Sequence, residues 1–62
     1  MLSTGAKICL HIDYEYCLEE GMTHPAAVRY LVKEWKLTPA EVEDVIKEQE
    51  EFLNTWGKGV IA

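Results

Sequence analysis

The clearest pattern of apolar and polar positions lies in the last third of the chain and predicts a long amphipathic helix. Residues at steps of three and four share one helical face: Val42, Val45, Ile46, Gln49, Phe52, Leu53 and Trp56. Thr38 and Glu41 form a capping box at its start, and Gly57 is typical of a helix end. The pattern therefore predicts a helix over residues 39–56 and a frayed tail over residues 57–62.

A second amphipathic pattern precedes it and predicts a helix over residues 24–36. Thr23 or His24 can cap its start, and Pro25 suits its first turn. Its apolar positions also share one face: Ala27, Val28, Leu31, Val32 and Trp35. The connection to the next helix, residues 36–38, is short enough to force a sharp corner, as in a helix-turn-helix.

The pattern of residues 8–18 fits two kinds of element. Apolar and other side chains alternate strictly, which is the signal of a β-strand, but the sequence offers this strand no partner. Gly21 is typical of a helix end, so we favour a helix over residues 6–20 and keep the strand as the alternative. Such a helix is apolar around most of its circumference, with one polar stripe of Lys7, His11, Glu15 and Glu19.

These patterns predict one small all-α domain, a compact three-helix domain with a helix-turn-helix-like corner. A helix that is apolar nearly all round is normally buried on most sides, and two short helices cannot surround it within 62 residues. A lone strand would need a second strand from another chain. Both interpretations of residues 8–18 therefore favour a homodimer, with a monomeric three-helix domain as the alternative.

The sequence shows no motif for catalysis or for a cofactor. The candidate zinc ligands are Cys9, His11, Cys17 and His24, but their spacing fits no familiar zinc finger. A Cys–His nucleophile pair would need a cleft, which a chain of this size rarely encloses. Cys9 and Cys17 lie too far apart along one helix for a disulfide. We therefore expect no enzyme activity, no metal and no cofactor.

The apolar segments are too short to place the chain in a membrane. No apolar run approaches the roughly 18 residues that a membrane span requires. Residues 1–7 lack the basic and apolar segments of a secretory signal. We therefore expect a cytoplasmic protein that does not associate with membranes.

Charge is unevenly distributed along a chain whose net charge is −5. Residues 38–56 carry six acids and one lysine, whereas residues 23–37 carry three basic residues and one acid. We expect a small, non-catalytic protein–protein interaction module, regulatory or inhibitory, that docks a basic partner surface through an acidic helix face. The candidate partner-binding residues are Glu41, Glu43, Asp44, Glu48 and Glu51, together with Tyr30, which lies off the apolar stripe of its helix.

The alternative function is a dimeric, helix-turn-helix-like regulator that binds nucleic acid through Arg29, Lys33 and Lys36. Residues 37–46 resemble in pattern the helix pair that opens HU-type histone-like proteins, but the sheet and arms by which that family grips DNA have no counterpart here. The first turns of the helix predicted over residues 39–56 carry three carboxylates, at positions where DNA recognition favours Arg and Lys. Nucleic-acid binding is therefore the less favoured interpretation.

Overall fold

The computed structural model describes the backbone of residues 2–61 and the side chains of residues 2–54. Three α-helices account for most of it: α1 (Thr4–Glu19), α2 (His24–Trp35) and α3 (Pro39–Ile61). Each helix packs against the other two, and the described backbone contains no β-strand. The predicted all-α, three-helix fold is therefore confirmed, and the strand alternative for residues 8–18 is wrong.

Side-chain caps fix where the three helices begin. Ser3 and Thr23 each accept a hydrogen bond from the backbone N–H three residues later, at 3.2 and 3.3 Å. The predicted capping box is present: the Thr38 N–H donates to Glu41 Oε1 at 3.0 Å, and the Glu41 N–H donates to Thr38 Oγ1 at 3.1 Å. The cap at Ser3 was not predicted, and it explains why α1 begins earlier than residue 6.

The three helices end in different ways. Gly21, with φ of 91°, follows α1 as its position predicts. Lys36 ends α2 in a left-handed conformation with φ of 55°, which costs a residue with a side chain about 1–2 kcal/mol. The predicted stop at Gly57 is wrong, because α3 continues to Ile61 and includes most of the predicted frayed tail. A glycine lowers helix stability but does not by itself end a helix.

The hydrophobic core lies between the three helices and takes residues from each: Leu10, Tyr14, Cys17, Ala27, Val28, Leu31, Val42, Val45 and Ile46. The apolar stripe predicted for α3 is buried only in its first half. Phe52 and Leu53 are 57% and 53% exposed, although Phe52 lies beside Ile8 of α1. The side chain of Trp56 lies outside the described residues.

The orientation of α1 differs from what its polar stripe suggests. His11 is buried, and Lys7 turns toward α3, where its Nζ pairs with Glu48 at 3.1 Å. The side of α1 opposite its core residues Leu10, Tyr14 and Cys17 carries an exposed row of apolar side chains: Ile8 by 46%, Ile12 by 60% and Tyr16 by 62%. The side chains of residues 2–54 therefore leave one side of α1 uncovered.

Candidate functional site

The five predicted acidic residues are all exposed on α3, but they do not form one free face. Glu41 belongs to the capping box, where the backbone N–H and then the hydroxyl of Thr38 lower the pKa of its carboxyl. Glu48 pairs with Lys7 of α1. Glu43 accepts a hydrogen bond from His24 at 2.8 Å. Glu41 therefore stabilises the start of α3, and Glu43 and Glu48 connect α3 to the other two helices.

Asp44 and Glu51 are the remaining two carboxylates of the predicted acidic face. Both are exposed, and within the described residues neither makes a hydrogen bond or an ion pair. They are seven residues apart, so they lie two helical turns apart on one side of α3. Among the described residues, this pair is the part of the predicted acidic face that takes no part in contacts between the helices.

The three basic residues of the alternative function lie on α2 and at its end. Arg29, Lys33 and Lys36 are exposed, on the side of the helix that faces away from the core. Among the residues that the structure describes, none of the three takes part in an ion pair. Their spacing of four and three residues places them on one side of α2 and its end, where they form a small cationic patch.

Tyr30 is half exposed, as its position off the apolar stripe predicts, and it borders a groove between α1 and α2. The groove has a volume of about 410 Å³ and combines aromatic, acidic and sulfur-containing side chains. Its lining residues are Asp13, Tyr16, Cys17, Glu20, Met22, Tyr30, Glu34 and Trp35. We call it the α1–α2 groove. Most of these residues were not among the predicted site residues.

Contacts between the two helices hold the walls of the α1–α2 groove. The indole Nε1–H of Trp35 donates to Asp13 Oδ2 at 3.2 Å, which fixes the edge of the ring against α1. The charge of Glu34, one helical turn away, is the main cause that raises the pKa of Tyr30. At Cys17, burial and then the charge of Asp13 raise the pKa of the thiol. The groove therefore has negative potential, and its thiol stays protonated at neutral pH.

A second side-chain network joins all three helices on another side of the core. His24 Nε2–H donates to Glu43 Oε1 at 2.8 Å, because a carboxylate only accepts, and in the neutral ring the Tyr14 hydroxyl then donates to Nδ1 at 2.9 Å. The order hydroxyl, imidazole, carboxylate matches the connectivity of a catalytic triad. However, burial, followed by the charges of nearby glutamates, raises the pKa of Tyr14. A raised pKa keeps this hydroxyl protonated, and what the contacts show is a connection between the three helices.

His11 is a buried polar residue close to that network. Its Nε2 has no hydrogen-bond partner within the described part of the chain, and the nearest carboxylate oxygens, on Glu15 and Glu50, lie 3.8 Å away. Its ring lies 6.1 Å from that of Tyr14. The sequence placed His11 among candidate metal ligands. Within residues 2–54, however, no three His, Cys, Asp or Glu side chains are placed to hold a metal ion.

The other side of α1 carries the exposed apolar row of Ile8, Ile12 and Tyr16. We call this row the outer α1 face. Next to Ile8 is a hollow of about 190 Å³, lined also by Phe52 of α3. The outer α1 face therefore continues as apolar surface onto α3. The sequence predicted that α1 carries more apolar surface than one copy can cover, and these exposures agree with it.

Cys9 is exposed and Cys17 is buried, and both are free thiols. No helix among the described residues is long and apolar enough to cross a membrane.

Comparisons with known proteins do not place the chain in a family. No family model matches the sequence, and neither curated proteins nor solved structures gave a significant match.

Proposed function

We propose that this chain is a non-catalytic protein–protein interaction module, of the regulatory or inhibitory kind, that works as a homodimer and docks a basic partner surface. The observation that carries the proposal is the outer α1 face. Small soluble domains rarely leave a contiguous row of large apolar side chains in water unless another surface covers it. A second copy of the chain is the occupant that the charges along α1 favour.

The charges of α1 suit an antiparallel pairing of two copies. Residues 2–12 carry Lys7 and no acid, whereas residues 13–20 carry four acids. Ile12 lies near the midpoint of α1, so a two-fold axis there aligns the helices along their full length. The acidic half of each copy then lies along the other copy's N-terminal half, with its lysine and the positive end of its helix dipole. A parallel pairing would instead bring the two acidic halves together.

The basic partner is proposed to dock on the acidic side of α3, which the pairing through α1 leaves free. Asp44 and Glu51 are exposed there and are not engaged in the contacts that hold Glu41, Glu43 and Glu48. The chain's net charge of −5 favours encounter with cationic surfaces and steers their approach. The partner surface is therefore expected to present Lys and Arg at the spacing of two helical turns.

The homodimer is tested by the molar mass in solution, measured by light scattering from micromolar to millimolar protein. We expect twice the chain mass for the wild type and the chain mass for Ile12→Glu, because a carboxylate at the two-fold axis would meet its own copy. Ala40→Glu adds the same charge at an exposed position of α3 and serves as the matched control. Circular dichroism verifies that both variants stay helical. If the wild-type chain stays monomeric at millimolar concentration, the proposed homodimer is wrong.

A further inference from the structure

The α1–α2 groove combines aromatic and acidic side chains, and it shares Tyr16 with the outer α1 face. Its walls include the aromatic rings of Tyr16, Tyr30 and Trp35 and the carboxylates of Asp13, Glu20 and Glu34. No basic residue lines it among those that the structure describes. Its volume of about 410 Å³ falls within the usual range for small-ligand sites, about 300–1,000 Å³.

This composition selects a ligand by charge and by hydration. Aromatic faces attract a cation within ~6 Å of the ring through the negative face of the π-system. Carboxylates nearby add attraction and repel anions. A small metal ion would need several oxygen, nitrogen or sulfur ligands around one point, and among the described residues no three His, Cys, Asp or Glu side chains are placed in that way. An alkylated ammonium ion is large and weakly hydrated. It is therefore attracted both by the aromatic rings and by the carboxylates of the groove.

We propose that the α1–α2 groove binds an alkylated ammonium group, with Tyr30 and Trp35 contacting its apolar surface and Asp13 and Glu34 balancing its charge. The group can belong to a free small molecule or to a methylated lysine side chain, and both offer the same chemistry. The site is formed in advance, because Trp35 is half-buried against the core and hydrogen-bonded to Asp13. Little ordering is then needed on binding.

The pKa shifts around the groove agree with this ligand class. Glu34 is the main cause that raises the pKa of Tyr30, and Asp13 contributes to the raised pKa of Cys17 after burial. Both shifts have the sign that a negative potential produces. The same potential stabilises a bound cation.

The test is an NMR titration of the ¹⁵N-labelled full chain with choline. The control ligand is choline's uncharged isostere, in which a carbon atom replaces the nitrogen. We expect saturable shifts, caused by choline alone, of the Trp35 indole and of the amides along the groove. Tyr30→Leu should weaken binding about tenfold because it removes one aromatic face, and Tyr30→Phe should retain it. Glu34→Gln should weaken binding severalfold, whereas Glu51→Gln, a matched change outside the groove, should not.

Three results would overturn the proposal: equal binding of the uncharged isostere, no saturable shift with choline, or unchanged choline affinity in Tyr30→Leu. Tyr30 and Glu34 are exposed, so these substitutions leave the core intact, and a thermal melt verifies it. A short peptide carrying trimethyllysine distinguishes the two sources of the group. Tighter binding of this peptide than of choline assigns a protein partner, and equal affinity assigns a free ammonium compound. The homodimer test measures mass, so either proposal can fail without the other.

Discussion

The two sides of α1 show how one helix with nearly uniform apolar character can build two different surfaces. Toward α2, its residues line a groove with aromatic rings and carboxylates, where Asp13 accepts a hydrogen bond from Trp35. Away from α2, Ile8 and Ile12 form an exposed apolar row that continues to Phe52. The first surface is polar and already hydrogen-bonded within one copy, whereas the second lacks a covering surface.

The difference follows from what each neighbouring helix supplies. The α2 helix brings an indole N–H and a carboxylate to the side of α1 that carries Asp13, so polar groups there find partners. Within the part of the chain that the structure describes, no helix faces the outer side of α1, and its apolar side chains stay in contact with water. We therefore expect the groove to select small cationic groups and the outer α1 face to select another protein surface.

The largest expected effect contrasts one buried and one exposed apolar residue of α1. Leu10 is fully buried and Ile12 is 60% exposed. Leu10→Ala should lower the free energy of unfolding by about 3 kcal/mol because it leaves a cavity in the core. Ile12→Ala should change it by less than about 0.5 kcal/mol in dilute, monomeric solution. Urea denaturation measures both. Equal losses for the two variants would contradict the orientation of α1 described above.

The next effect concerns the hydrogen-bonded network that ties α1 to the other helices. Tyr14→Phe keeps the buried ring but removes the donor to His24, so the free energy of unfolding should fall by about 1 kcal/mol at neutral pH. His24→Ala also removes the hydrogen bond to Glu43, so the double variant should lose about 1 kcal/mol less than the sum of the two single losses, because both changes break the Tyr14–His24 hydrogen bond. Fully additive losses would show that the two side chains do not interact.

The pH dependence of stability follows from the same tyrosine. Burial, and then the charges of Glu50, Glu15 and Glu43, raise the pKa of Tyr14 above its ordinary 10.0. Below pH 10 both folded and unfolded chains keep this proton, so its stabilising contribution is fully present. Above that value the unfolded chain ionises first, and the contribution is lost as pH rises through the folded-state pKa. The wild type should therefore lose stability more steeply than Tyr14→Phe as the pH rises above 10.

The fold could be predicted from the sequence because its signals are local. The Thr38–Glu41 capping box, the cap at Thr23 and the steps of three and four in α2 and α3 each depend on neighbouring residues. The buried face of α1 could not be predicted. Its apolar residues surround the helix, so the choice between Leu10 and Ile12 as core depends on how α2 and α3 pack against it.

The candidate site was predicted only in part, for a similar reason. The exposure of Tyr30 follows from its position off one helical stripe. The contacts of Glu43 and Glu48 do not follow from the pattern of α3, because their partners, His24 and Lys7, lie on other helices. The α1–α2 groove also needs residues from two helices, and their relative placement is not encoded in a local pattern.

A charge reversal tests whether the acidic side of α3 docks a basic partner. The double variant Asp44→Lys and Glu51→Lys should weaken binding of a labelled Lys- and Arg-rich helical peptide about fivefold, measured by fluorescence anisotropy. Lys33→Glu on the opposite charge patch should leave this binding unchanged or slightly stronger. Unchanged peptide affinity in the double variant would show that the acidic side of α3 does not dock a basic partner.

The same Lys33→Glu variant tests the nucleic-acid alternative. Wild-type binding to a DNA duplex that weakens steeply with salt and is lost in Lys33→Glu would favour that alternative.

The smallest expected effect lies at the end of α2, beside the groove. Lys36 directly follows Trp35 and adopts the left-handed conformation, which glycine adopts without a steric penalty. Lys36→Gly should therefore raise the free energy of unfolding by about 0.5–1 kcal/mol, measured by urea denaturation. Gly21→Ala is the control with the opposite sign. Its φ is 91° and no atom lies within 4 Å of the added methyl group, so only backbone strain acts.

The Trp35 indole resonance shows in the same samples whether the groove depends on this corner. We expect it to stay unchanged in Lys36→Gly, because the hydrogen bond to Asp13 and the packing of Trp35 against the core hold the ring. If the resonance shifted while stability rose, the end of α2 would set the shape of the groove. The shape of the groove would then depend on the corner at residues 36–38, between α2 and α3, as well as on α1. The difference between the two sides of α1 would in that case not be a property of α1 alone.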